Sequence, residues 1–180
     1  MRTPNLNRNL GVSLLAAAAL LTGCATPTSQ EAMVPTAIST LKKHPQTVTV
    51  EVSGGQETSA IGKAQVSNDA LAKALTQAIE GSKAFSKVVK GSGGDYFLTV
   101  NIFSIDQPNF GLSFTVKMEA GWTLKRANSG AVVWQESVKS EHTATTSDAF
   151  VGVTRLKMAT EGAAKNNVAQ GLEKISKLTL

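Results

Sequence analysis

From Leu112 to Leu124 the chain alternates without a break. Leu112, Phe114, Val116, Met118, Ala120, Trp122 and Leu124 share one parity, and Ser113, Thr115, Lys117, Glu119, Gly121 and Thr123 share the other. Successive side chains of a strand point to opposite faces. The segment therefore predicts a long antiparallel strand with one buried face and one wet face. A buried face that long needs a second layer over it, and the rest of the chain has to supply that layer.

Two further strands flank it. Tyr96 to Ile105 carries Tyr96, Leu98, Val100 and Ile102 on its even face. Ala131 to about His142 carries Val132, Trp134 and Val138 on its even face. Parity sets the register, because a slip of one residue would turn a whole strand inside out. A three-residue loop, Asn128-Ser129-Gly130, satisfies it with Gly in the left-handed conformation. It places Ala127 opposite Ala131 and Leu124 opposite Trp134, with Trp122 and Trp134 diagonal on the buried face.

Upstream, Thr47 to Val52 alternates with Val48, Val50 and Val52 on one side and reads as another strand. Ser67, Asn68 and Asp69 then offer N-caps to a helix striped by Leu71, Leu75, Ala78 and Ile79. Gly81 is its expected end, after which Phe85, Val88 and Val89 tuck inward and Gly91 to Gly94 form a turn. After an irregular stretch at 143–154, Ala164, Val168, Leu172 and Ile175 stripe a last helix. It is strongest from Thr160 to Leu178 and can begin as early as Arg155. Gly162 and Gly171 count against its being straight, since each costs about 1 kcal/mol relative to Ala in an exposed helix. Glu161 and Lys165 read as an exposed i,i+4 pair. The order is β-α-β-β-β-α. Two helices with one stripe each and a mainly antiparallel sheet with one apolar face give an α+β, two-layer sandwich with both helices packed on one face.

One strand violates its own pattern. The odd face of Tyr96 to Ile105 also carries Phe97, Phe103 and Ile105, and Phe110 follows in the turn. With a five-residue loop from Asp106 to Phe110, Phe103 lies opposite Ser113 and Ile105 opposite Gly111. Both then project from the sheet face away from the helices. Phe103, Ile105 and Phe110 are thus the candidate contact residues for an envelope protein partner or for self-association, since exposed apolar patches mark interaction sites. The competing reading is that the N-terminal stretch or residues 149–153 fold over them.

The first residues belong to targeting. Arg2 and Arg8 precede the apolar run Leu10 to Leu21, which is too short to span a bilayer. Basic n-region and apolar h-region together make a secretory signal. It ends in Leu21-Thr22-Gly23-Cys24, which resembles the lipobox of bacterial lipoproteins. The resemblance implies cleavage after residue 23, lipid on the Cys24 thiol and acylation of the new N-terminus. Ala25, rather than Asp, follows the Cys, which by the same resemblance implies the outer membrane, with the domain facing the periplasm. Several acyl chains anchor stably where one alone is marginal. Residues 24–46, rich in Thr, Ser, Ala and Pro, read as a flexible tether spanning about 25 Å as a coil, with Lys42, Lys43 and His44 solvated or touching head groups. Residues 47–180 remain for the globular domain.

Further residues resemble small envelope lipoproteins. Leu71-Ala72-Lys73-Ala74-Leu75, Gly81-Ser82-Lys83-Ala84-Phe85-Ser86-Lys87-Val88, Asp95-Tyr96-Phe97-Leu98 and Gly130-Ala131-Val132-Val133-Trp134 are similar to a pattern in that group. The group includes the curli-secretion and lipopolysaccharide-assembly lipoproteins. The resemblance implies the β-α-β-β-β-α fold and a role in an envelope system. The chain lacks a long amphipathic hairpin insert like the one with which the curli protein builds its pore.

Chemistry is sparse. A single Cys excludes a disulfide framework or a multi-Cys metal site, and two histidines far apart leave little for zinc. No Gly-x-Ser-x-Gly, phosphate loop or His-Glu-x-x-His is present. His142 with Glu141 or Asp148 is the one acid–base pair that can be written. No catalytic residue, cofactor or metal is expected. Loss of Arg2 and Arg8 with the signal leaves 16 basic against 13 acidic side chains, a charge of +3, too small to argue for nucleic acid. The reading is a non-enzymatic, lipid-anchored binding or assembly accessory. The alternatives are a periplasmic lipid or small-molecule carrier and, further off, a cell-envelope enzyme. Trp122, Trp134, Met118 and Phe114 argue for a filled interior rather than a carrier's cavity.

Overall fold

The structure, a computed structural model, describes residues 25–38, 42–60 and 62–180. The expected signal at 1–23 and the expected lipidation site Cys24 lie outside the described residues. Among the described residues five strands and two α-helices follow one another as β1 (His44–Ser53), α1 (Asn68–Ser82), β2 (Phe85–Val88), β3 (Tyr96–Asp106), β4 (Phe114–Arg126), β5 (Val132–Ala144) and α2 (Gly152–Ser176). The strands form one sheet in the order β2-β1-β3-β4-β5. β1 runs parallel to β2 and β3, and the β3-β4-β5 meander is antiparallel. Both helices cover one face, as the two apolar stripes demand. The sequence marks β2 only as an inward tuck. At four residues it is too short to show a period, and it forms because Phe85 and Val88 pair with His44 and Val48.

Even-numbered residues of the meander build the core. Leu98, Val100, Val116, Met118, Ala120, Trp122, Leu124 and Val138 are all buried against Leu71, Leu75 and Ile79 of α1 and Val168, Leu172 and Ile175 of α2. Ser67 caps α1, its hydroxyl accepting from the Ala70 N–H at 3.2 Å. That satisfies one of the free donors of the first turn.

The β4–β5 hairpin keeps the expected Leu124–Trp134 pairing. Nearer the turn a bulge shifts the register, so Arg126 rather than Ala127 faces Ala131, its N–H donating to the Ala131 carbonyl. Gly130 takes the left-handed conformation at φ +67°. Trp134 is half-buried on the edge strand, and Val132 is exposed because the bulge sets it opposite Lys125, on the outer face. Trp122 is the fully buried indole.

Two readings of the N-terminal stretch change. Met33, in a 3-10 turn at Glu31–Met33, is completely buried between the helices. Thr28 is buried too, its hydroxyl donating to the Gln65 carbonyl at 2.9 Å. From Thr28 to Val34, then, the stretch read as a tether packs on the domain. His44 opens β1, is buried against Phe85, and sits with Nε2 3.0 Å from the Ile175 carbonyl oxygen. It is a strap between sheet and helix rather than a solvated linker residue.

Candidate functional site

The outer sheet face is built by the odd residues of β4 and β5 and by a bulge in β3. Ile102 pairs with Ala120, but the next pairing is Ser104 with Glu119. Phe103 is therefore an extra residue, and the parity of β3 reverses beyond it. Phe103 stays on the outer face, 58% exposed, with its ring laid on Gly121: a Cβ there would come within 2.4 Å of Cζ. Lys117, Glu119, Lys139 and Glu141 alternate in charge beside it through the pairs Lys117–Glu141 and Glu119–Lys139. Glu119 accepts from the Ser137 hydroxyl at 2.6 Å, which holds its carboxyl below the ordinary range, and Lys139 stands 3.6 Å away.

The same bulge corrects the expectation for Ile105. It pairs with Met118, turns to the helix side and packs against the core. The expected partners Ser113 and Gly111 do not apply, because β3 continues to Asp106 opposite Lys117 and the loop is residues 107–113. Phe110 lies on that loop, 88% exposed. The three predicted contact residues are thus separated: Phe103 on the outer face, Ile105 inside, Phe110 at a loop tip.

That tip has company. Leu112, expected in the strand core, is 81% exposed, and Phe150 on the β5–α2 loop is 91% exposed. Arg155 joins the two loops. Its guanidinium donates to the carbonyls of Ala149 at 2.8 Å and Phe150 at 3.2 Å on one, and to that of Gly111 at 3.2 Å on the other. It also stacks 4.9 Å over the Phe114 ring and is itself buried. The sequence signal for this end is the run Ala149-Phe150-Val151, apolar within an otherwise polar connection. Arg155 carries no sequence signal for its role.

His142, Glu141 and Asp148 make no hydrogen bond or ion pair with one another. His142 faces inward with its ring on Gly162, where a Cβ would lie 2.1 Å from Cδ2. Glu141 faces outward. Asp148 accepts from the N–H and hydroxyl of Thr145, at 2.7 and 2.8 Å, which hold its carboxyl below the ordinary range. Glu161 is not on the surface with Lys165. It is buried, 2.7 Å from Lys157 Nζ, and accepts from the Ser29 N–H at 2.7 Å. Among the described residues no group of three or more His, Cys, Asp or Glu is placed to hold a metal ion. Among them, too, no helix is long and apolar enough to cross a membrane.

No protein-family model matches the sequence, and no curated protein does. Solved structures do resemble the fold. Protein XCC0632 from Xanthomonas campestris, described as DUF330, aligns with TM-score 0.56 and 14% identity, covering 84% of this chain and 91% of that one. The hypothetical protein CT253 from Chlamydia trachomatis aligns with TM-score 0.55 and 8% identity, covering 73% and 96%. A single-substitution variant of PelC from Paraburkholderia phytofirmans, a dodecamer, aligns with TM-score 0.50 and 14% identity, covering 80% and 95%. At these identities what is shared is the fold alone.

Proposed function

We propose that the protein is a lipid-anchored envelope protein, held at the outer membrane through Cys24, that works without catalysis as a binding or assembly accessory. It meets its protein partner through the outer sheet face around Phe103. The observation that carries this reading is that face itself. Both helices lie on the opposite side, the N-terminal turn at Met33 docks on the helices, and Phe103 remains exposed among alternating charges. A large aromatic ring with a polar rim is the usual composition of a protein contact. The filled interior around Trp122 and Met118 speaks against the carrier alternative. PelC is a dodecamer, so a domain of this fold can assemble, and a second copy of this chain is one partner to test.

Photo-crosslinking in the intact envelope from the Lys139 position, on the same outer face, tests the reading. A discrete adduct that Phe103→Ser abolishes, in a variant that keeps its stability, supports the face as the contact. An unchanged adduct pattern in Phe103→Ser moves the contact elsewhere.

A further inference from the structure

We infer that the loop end bearing Phe110, Leu112 and Phe150 dips into the lipid surface beside the acylated N-terminus and sets how the domain stands on the membrane. This rests on the proposed lipid anchor at Cys24 and adds a second membrane contact to it.

Three observations converge. The first is where the three most exposed large apolar side chains of the described residues are. Phe110 at 88%, Leu112 at 81% and Phe150 at 91%, with Val151 at 54%, all stand on the β3–β4 and β5–α2 loops. These loops leave the same end of the antiparallel meander, opposite the β4–β5 turn. The second is that the end is built rather than loose. The buried Arg155 binds Gly111 between Phe110 and Leu112, and it binds the carbonyls of Ala149 and Phe150. One guanidinium thus holds the two loops side by side.

The third observation names the occupant. Thr28 donates to Gln65, and the Gln107 side chain donates to the neighbouring Ala64 carbonyl at 2.7 Å. Lys63 Nζ in turn donates to the Gln107 carbonyl at 2.8 Å. Gln107 opens the loop that carries Phe110. The N-terminal chain therefore reaches the domain at this end. Four residues before Thr28 lies Cys24, within roughly 14 Å even if the chain is fully extended. Acyl chains on Cys24 enter the bilayer within that distance of the docked N-terminal chain, at the end that bears the tips. A few apolar rings on a rigid loop end beside a lipid anchor are suited to the headgroup–acyl boundary, where interfacial segments bury about 5–10 Å. The outer sheet face with Phe103 then stands roughly along the membrane normal, open to a partner, and the β4–β5 turn points into the aqueous space.

The test uses the full lipidated chain in vesicles of phosphatidylethanolamine and phosphatidylglycerol. Cys24 is the sole cysteine and acylation consumes its thiol, so an introduced cysteine is the one labelling site. Phe110→Cys and Phe150→Cys carry an environment-sensitive fluorophore, and Ser129→Cys on the β4–β5 turn is the reference. The expected result is a blue shift at 110 and 150 and several-fold stronger quenching there than at 129 by lipids bearing nitroxides on their acyl chains. Tip probes that emit as in water, quenched no more than the one at 129, overturn the inference. So do tip probes that are shielded yet untouched by lipid quenchers and that crosslink chain to chain, because the occupant is then a second copy. Mass analysis of the same sample separates the two ideas. Acylated protein with wet tips refutes this inference alone, whereas an unmodified Cys24 refutes the anchor and this inference with it.

Discussion

The indole of Trp122 lies flat on Gly171: a Cβ at that glycine would fall 2.4 Å from Cζ2. One helical turn earlier, Asn167 accepts from the indole Nε1–H at 2.9 Å. Asn167 also donates to the Val138 carbonyl at 2.8 Å and to the Ser140 hydroxyl at 3.2 Å, and Ser140 donates to the Ala163 carbonyl at 2.8 Å. Gly171 lets the ring in, and Asn167 satisfies its one polar atom. Together they set where α2 crosses β4 and β5.

That relationship predicts a graded stability series. Trp122→Ala empties a fully buried aromatic site and costs about 3–5 kcal/mol. Gly171→Ala forces the indole or the helix to move and costs about 1–3 kcal/mol, although Ala is the better helix former. Asn167→Leu leaves the buried indole N–H unpaired, at about 1–3 kcal/mol. Trp134→Ala, half-buried at the sheet edge, costs less than Trp122→Ala. Urea midpoints check the order, and a neutral Gly171→Ala would refute the close approach.

The β3 bulge predicts opposite outcomes for two residues two apart. Phe103→Ser leaves the urea midpoint within about 0.5 kcal/mol of wild type, as for an ordinary surface site. Ile105→Ser puts a hydroxyl where an aliphatic side chain packs on the core and costs about 1–3 kcal/mol. Equal effects on the two would mean that the parity reversal at Phe103 is absent.

For the anchor, Cys24→Ser removes the thiol that would carry lipid. The expected outcome is loss of fatty-acid incorporation in metabolic labelling and accumulation of an uncut precursor. Undiminished labelling in the variant would rule the anchor out. The domain's melting behaviour is not expected to change, because packing begins at Thr28.

Acid is expected to loosen the start of the sheet. Asp95 accepts from the Thr47 N–H at 2.8 Å and its hydroxyl at 2.7 Å, and these bonds hold its carboxyl below the ordinary range. A group depressed in the folded state stabilises above its unfolded value and loses that contribution as pH falls through the folded value. The loss therefore sets in below about pH 4, joined by Asp148, Glu119 and Glu136, the last held down by its bond to Lys174. Asp95→Asn is expected to be less stable at neutral pH and to show a shallower decline on acidification, read from urea midpoints across the acid range. A slope identical to wild type would remove Asp95 from the account.

The elements legible in the sequence were those whose signal is local and repeated. The alternation through β4, the even face of β3 and the stripes of both helices each report burial on one side, so the two-layer architecture and the Leu124–Trp134 register followed from parity. Tertiary structure decided whatever depends on one residue or on distant partners. A single extra residue at Phe103 reverses parity for Ile105 without altering its local sequence. Gly162 and Gly171, which by helix propensity alone count against the helix, are the places where His142 and Trp122 reach it. Glu161 and His44 look exposed by local pattern and are buried because Ser29 and Ile175, distant in sequence, close over them. Phe110, Leu112 and Phe150 become one apolar end only because Arg155 draws together two loops that lie far apart along the chain. Periodicity averages over many residues and survives in the sequence, whereas a bulge, a close approach or a shared guanidinium is a single contact whose partner only the folded chain supplies.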